Sequence, residues 1–203
     1  MKLIILSGFL GSGKTSFLLR LIDQLASKTD GAMSSRIAII ENEIGSVSVD
    51  GKVIASKGLE MRELLSGCIC CSLSGNLLQG VMELQSSVNP DWLIIEATGL
   101  ASASQIKNTL SENREWRNSL LTLVLIDAGR FLTLLKTTEP MMVRQLEEVD
   151  VIILNKVDIV SDPVREETRK KLQELKPGIA VVETISTQNI PKELWTQIAE
   201  ELG

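Results

Sequence analysis

Residues Lys2 to Leu19, KLIILSGFLGSGKTSFLL, leave this chain little choice of architecture. A short apolar run, Leu3-Ile4-Ile5-Leu6, leads directly into Gly8-Phe9-Leu10-Gly11-Ser12-Gly13-Lys14-Thr15, which satisfies GxxxxGK[ST], and then into the apolar run Phe17-Leu18-Leu19 and Leu21-Ile22. Strand, glycine loop and helix in that order form the context a phosphate-binding P-loop requires. The glycines let the backbone wrap closely around an anion, and the following helix aims its positive N-terminal end at the same place. Lys14 then reaches the outer phosphates and the Thr15 hydroxyl serves as a ligand of Mg²⁺, with Gly8, Gly11, Ser12, Gly13 and Ser16 completing the phosphate-side set. A glycine-rich turn before a surface helix is the blander reading, but it does not account for all the fixed positions at once.

Six continuous apolar runs recur along the chain: Leu3-Leu6, Ile37-Ile40, Trp92-Ile95, Leu121-Ile126, Val151-Leu154 and Ala180-Val182. Continuous rather than alternating hydrophobicity predicts strands buried on both faces. Helix-like segments fill most intervals, at Ser16-Ala26, Gly75-Ser86, Ser102-Leu110, Arg130-Leu135 with Met141-Leu146, Pro163-Leu175 and Lys192-Leu202. The expected fold is therefore an α/β P-loop domain, a doubly wound and mostly parallel sheet with helices on both faces, spanning residues 1–203 as one domain. Its ligand belongs at the carboxyl ends of the strands. The interval from Glu41 to Gly75 breaks the pattern. It offers a hairpin around Asp50-Gly51, within Val47-Ile54, then a short helical piece at Leu59-Leu65, and reads as a switch-like excursion.

Charge and composition exclude several classes. A formal net charge of −5 gives no electrostatic footprint for nucleic acid. No apolar run approaches the ~20 residues of a membrane span, so the expected address is the cytoplasm. The chain has no His and no Tyr, which leaves acid–base chemistry near neutral pH to carboxylates, lysines, thiols or water.

The run Val151-Leu154 ends in Asn155-Lys156-Val157-Asp158, an NKxD pattern. A carboxylate at Asp158 accepts hydrogen bonds from guanine N1–H and its 2-amino group, whereas adenine offers an acceptor at N1 and no amine beside it. Asn155 is expected at the other base edge and the Lys156 stem over the base face, with Ser186 beneath it. This order points to GTP over ATP. Asp91-Trp92-Leu93-Ile94-Ile95-Glu96-Ala97-Thr98-Gly99 supplies a strand-ending acid, Glu96, that holds Mg²⁺ or positions water, and Gly99, whose N–H meets the γ-phosphate. Lys14, Glu96 and Gly99 form the expected catalytic set. A nucleotide kinase is the competing class; it is disfavoured by NKVD and by the lack of an arginine-rich lid. With no arginine finger identifiable, unaided hydrolysis is expected to be slow.

All three cysteines fall in Gly67-Cys68-Ile69-Cys70-Cys71. Thiolates this close repel unless a cation sits among them, and soft sulfur suits Zn²⁺, Cu(I) or similar ions. Tetrahedral zinc needs a fourth ligand, and with no His available this must be a carboxylate, water, another protomer or a client protein. Cys68 and Cys71 also have the C-x-x-C spacing of a redox pair, although no thioredoxin-like unit surrounds them.

Taken together, the P-loop, Glu41-Asn42-Glu43-Ile44-Gly45, Gly67-Cys68-Ile69-Cys70-Cys71, Glu96-Ala97-Thr98-Gly99 and Asn155-Lys156-Val157-Asp158 resemble the CobW-like family of P-loop GTPases, relatives of the GTPases that assist nickel insertion into urease and hydrogenase. The resemblance implies a GTP hydrolase acting as a metallochaperone or in cofactor maturation, with a metal-dependent cycle and Zn²⁺ or Co²⁺ at Cys68, Cys70 and Cys71. It further implies that Glu43 lies in a switch region and helps coordinate metal. The implied partner is a client metalloprotein or cofactor-biosynthesis enzyme, with a homodimer across nucleotides as a family analogy. The chain departs from many members in lacking a His-rich stretch and a C-terminal CobW-type domain. A GTP-dependent interaction or redox switch with a structural metal is the alternative reading.

Overall fold

The computed structural model describes residues 1–27, 36–41, 60–63, 73–97 and 103–202. Seven strands form one sheet: β1 (Lys2–Gly8), β2 (Ile37–Glu41), β3 (Glu60–Glu63), β4 (Trp92–Glu96), β5 (Leu120–Asp127), β6 (Val151–Asn155) and β7 (Ala180–Thr184), in the spatial order β3-β2-β4-β1-β5-β6-β7. Every neighbouring pair is parallel. The helices are α1 (Lys14–Ser27), α2 (Leu73–Ser87), α3 (Ala103–Ser111), α4 (Phe131–Gln145), α5 (Asp162–Leu175) and α6 (Lys192–Leu202).

Alternation along β1 explains why its sequence is apolar throughout. Ile4 and Leu6 pack with Phe17, Leu18 and Leu21 of α1 and Leu194 and Ile198 of α6 on one face. Leu3 and Ile5 pack on the other face with Leu77, Val81 and Leu84 of α2 and Ile106 and Leu110 of α3. Beyond β1 that second face continues under α4 and α5, where Val124, Ile126 and Ile152 meet Phe131, Leu135 and Leu172. All six expected strands form, and their parallel, doubly covered arrangement is the one that continuous apolar runs require.

Two local expectations change. Residues 60–63 of the expected helical piece Leu59-Leu65 form a strand instead, with Ala38 opposite Glu60 and Glu41 opposite Glu63. Glu-Met-Arg-Glu carries no apolar run, yet at the sheet edge the open hydrogen-bonding side of β2 is available to it. The two helical stretches expected after residue 130 join into one helix, α4, kinked at Thr138 (φ −138°, ψ 38°). Pro140 lacks the N–H that would reach Lys136 and crowds that turn; the Thr138 hydroxyl takes the Leu134 carbonyl at 2.8 Å. The hairpin expected within Val47-Ile54 lies outside the described residues.

At the amino end of the sheet, Asp91 ties three strands together. Its Oδ2 accepts from the Arg36 N–H at 2.9 Å and its carbonyl accepts from the Lys2 N–H at 2.9 Å. The Arg36 backbone N–H holds the Asp91 carboxyl below its ordinary pKa; desolvation opposes it, and the Arg36 guanidinium adds to the lowering. At the carboxyl end, Gly8, Glu96, Asp127, Asn155 and Thr184 finish their strands side by side, around the point where the order reverses at β1. Among the described residues, no helix is long and apolar enough to cross a membrane.

Candidate functional site

The loop after β1 depends on glycine at defined positions. Gly11 (φ +77°) and Gly13 (φ +100°) take left-handed backbone on either side of Ser12. Successive amides in such a concave path point inward and form an anion-binding nest. A side chain at Gly13 would meet the Asn155 carboxamide and lie 3.3 Å from the Ser186 hydroxyl. Helix α1 starts at once, with Phe17 N–H bonded to the Gly13 carbonyl at 2.9 Å. The Lys14 ammonium folds back over the loop, donating to the Gly8 carbonyl at 2.9 Å and the Phe9 carbonyl at 3.2 Å.

Three consecutive carbonyls of the loop are each held from outside by a different side chain. Arg130 Nη1 donates to Leu10 at 3.1 Å, Lys156 Nζ to Gly11 at 2.6 Å, and Asn155 Nδ2 to Ser12 at 2.7 Å. In a trans peptide the C=O and the following N–H point opposite ways. Fixing these carbonyls outward turns the N–H groups of Gly11, Ser12 and Gly13 the other way, and the Ser12 N–H also closes a turn onto the Phe9 carbonyl at 3.1 Å.

Two further residues build this frame. Asn155, 1 % exposed, uses its Oδ1 to accept from the Ser186 N–H at 2.9 Å and the Thr184 hydroxyl at 3.3 Å. Both ends of its carboxamide thus have protein partners and Asn155 braces the loop, while the second Nδ2 hydrogen keeps the side chain compatible with the base-edge position expected of it. Asp127 divides its carboxylate: Oδ1 accepts from Gly129 N–H at 2.9 Å and Arg130 N–H at 3.2 Å, and Oδ2 accepts from Lys156 Nζ at 2.8 Å. Lys156 reaches both Asp127 and Gly11 because its own backbone is left-handed (φ +63°), an uncommon state for a residue with a side chain. The sequence reading did not identify Asp127 or Arg130, although a strand-ending Asp followed two residues later by Gly is a turn signature.

The remaining expected residues are placed as follows. Thr15 and Ser16 lie in the first turn of α1, part-buried and exposed respectively. Glu96 ends β4, in register with Leu6 on one side and Glu41 on the other. Asp158 is exposed on the short 3₁₀ turn Val157–Ile159 that follows β6. The Ser12 and Ser186 hydroxyls are buried and find no partner among the described residues. Buried hydroxyls without partners are costly, and their place beside a glycine cradle fits a polar ligand such as a nucleotide. Glu43, Cys68, Cys70, Cys71 and Gly99 lie outside the described residues. The Glu96 carboxylate at the end of β4 and the Thr15 hydroxyl in the first turn of α1 are the hard oxygen donors that Mg²⁺ prefers.

The profile of the CobW/HypB/UreG nucleotide-binding domain matches residues 2–183. The chain belongs to that family. Among curated CobW-type relatives, it is 33 % identical over 156 residues to the zinc chaperone YeiR of Escherichia coli, covering 76 % of this chain and 46 % of that protein. It is 30 % identical over 186 residues to the zinc chaperone CobW of a Sinorhizobium species, covering 77 % and 51 %. The chain thus spans about half the length of these relatives. Among solved structures, it superimposes on the hydrogenase maturation factor HypB of Archaeoglobus fulgidus with a TM-score of 0.68 at 17 % identity, covering 98 % of this chain and 89 % of that one. It superimposes on the Zn(II)-bound YjiA GTPase of E. coli with a TM-score of 0.59 at 22 % identity, covering 97 % and 61 %. At these identities the structural matches establish the fold alone.

Proposed function

We propose that this domain binds Mg²⁺·GTP on the Gly8–Thr15 loop, hydrolyses it slowly, and uses the cycle to hold and hand on a zinc-like ion through Cys68, Cys70 and Cys71. In this reading Lys14 and the loop amides hold the phosphates, and Thr15 and Glu96 hold Mg²⁺. Asp158 reads guanine at the rim, and Gly99 contributes an amide to the γ-phosphate. Mg²⁺, when bound, neutralises charge developing on the phosphates. The recipient is a metalloprotein or cofactor-biosynthesis enzyme, and the thiols place the protein in a reducing compartment such as the cytoplasm.

One observation carries the coupling. Glu96 of β4, Glu41 of β2 and Glu63 of β3 are register partners across three adjacent parallel strands. The Cys68 position follows Glu63 by only five residues. The nucleotide end of β4 and the segment entering the cysteine motif are thus joined by backbone hydrogen bonds through a single intervening strand. The names of the relatives, zinc chaperones among them, support zinc as cargo.

Magnitudes limit what the cycle can do. Coupling between two sites is typically about 1–3 kcal/mol, whereas a structural zinc site is worth about 10–16 kcal/mol. Hydrolysis therefore does not expel a tightly held ion into water. It weakens the site modestly while ligands of the recipient enter the fourth coordination position. Calorimetric titration with GTP and with ATP in Mg²⁺ tests the nucleotide half of the reading. GTP is expected to bind on the order of 100-fold or more tighter, because the wrong base leaves buried polar groups unpaired; equal affinities would contradict it.

A further inference from the structure

We propose that Arg130 is a positioning residue of the phosphate loop, setting the Gly11 amide for the outer phosphate before nucleotide arrives. This inference rests on the nucleotide-binding reading above. The guanidinium reaches Leu10 and Gly11, in the loop between β1 and α1. Its Nη1 donates to the Leu10 carbonyl at 3.1 Å, and a Cβ built on Gly11 would lie 3.1 Å from the same nitrogen. Because the first amides of a helix attract anions, the nucleotide-binding reading gives the inner phosphates to Gly13, Lys14 and Thr15 and leaves the Leu10–Gly11 peptide to the terminal one.

The arginine is itself aimed. Its backbone N–H is fixed to Asp127 twice, to Oδ1 and to the carbonyl oxygen, both at 3.2 Å. It directly precedes α4, whose first residue, Phe131, is buried. The turn that carries Arg130 is thereby tied to the carboxylate that also holds Lys156. Lys156 and Asn155 brace the Gly11 and Ser12 carbonyls from the β6 side; Arg130 braces the Leu10 carbonyl from the β5 side. Without it the Leu10–Gly11 peptide loses its outer partner and rotates more freely, since one of its two flanking dihedrals, φ of Gly11, belongs to a glycine. Ordering that peptide again on binding then falls to the ligand.

The proposal predicts a phosphate-specific defect. Affinities of the full chain for a non-hydrolysable GTP analogue and for GDP, both with Mg²⁺, are to be measured in the wild type, R130A and R130K. In R130A the analogue is expected to lose about tenfold, the size of one charge-assisted hydrogen bond, with GDP changing far less. R130K, which still places a donor near Leu10, is expected to recover most of the loss. A purely structural role would lower both affinities alike and reduce the thermal midpoint of the nucleotide-free protein in parallel. Equal losses, or no loss, overturn the proposal. Should the wild type bind adenine nucleotides instead, the guanine assignment fails but the same ratio, measured with an ATP analogue and ADP, still decides the role of Arg130. A wild type that binds neither sinks both readings.

Discussion

Asn155 at the end of β6 donates its side-chain amide to the carbonyl of Ser12, 143 residues earlier, at 2.7 Å. The same carboxamide accepts from the backbone of Ser186. One buried side chain therefore locks together the loop after β1, the end of β6, and the loop after β7. In N155A the Ser12 carbonyl and the Ser186 N–H lose their partner at once, each worth about 1–3 kcal/mol when buried. The expected result is a loss of about 100-fold in affinity for GTP and GDP alike, with a lower melting temperature. Paired calorimetry and thermal melts check it; an intact affinity would show that the loop does not depend on this brace.

The backbone at Gly13 is left-handed, and any β-carbon there points into Asn155. G13A combines that collision with backbone strain. It is expected to abolish measurable nucleotide binding while leaving the sheet, and hence the circular dichroism spectrum, in place. Retained binding would mean that the loop has room the geometry denies.

Asp158 sits exposed beyond β6, where its carboxylate is open to solvent and, in the proposed reading, to the guanine edge. D158N exchanges an acceptor for a mixed donor and acceptor. GTP affinity is expected to fall on the order of 100-fold, while XTP, whose 2-keto oxygen accepts from the new amide, gains. Competition between the two nucleotides reads the swap directly. Unchanged preference would remove Asp158 from base recognition.

Asp91 gives the fold a small pH dependence of predictable sign. Its folded pKa is lowered, chiefly by the Arg36 N–H, so its contribution is fully present above the unfolded carboxyl value of about 3.9 and disappears as pH falls through the lower folded value. The side chain is 50 % exposed, so solvent screening keeps the effect small. Melting temperatures of wild type and D91N are expected to differ slightly at neutral pH and to converge below the carboxylate range. A difference independent of pH would place the effect elsewhere.

The sheet was legible because its strands are buried on both faces: Leu3 to Leu6 and Val151 to Leu154 admit few other placements. Strand β3 was not, since Glu-Met-Arg-Glu at an edge draws on backbone pairing with β2 and shows no apolar signature. The loop between β1 and α1 was legible because its left-handed positions, Gly11 and Gly13, favour glycine and the apolar runs on either side mark the strand and the helix. The outer brace was harder to see. Arg130 acts on a main-chain carbonyl and Asp127 accepts largely from main-chain N–H groups, which have no sequence of their own, and Leu10, the partner of Arg130, lies more than a hundred residues away. Asn155 was recognised as a site residue, but only its two committed ends reveal that it serves the loop.

In the proposed cycle, nucleotide state changes the affinity of the cysteine motif for metal. Titrating the reduced protein with Co²⁺, in GDP and in a non-hydrolysable GTP analogue, follows the thiolate-to-cobalt charge-transfer band and measures that coupling directly. Stoichiometric thiolate ligation is expected, about 5- to 150-fold tighter with the GTP analogue. Thiolate ligation of equal strength in both nucleotide states, or no thiolate band at all, would contradict it.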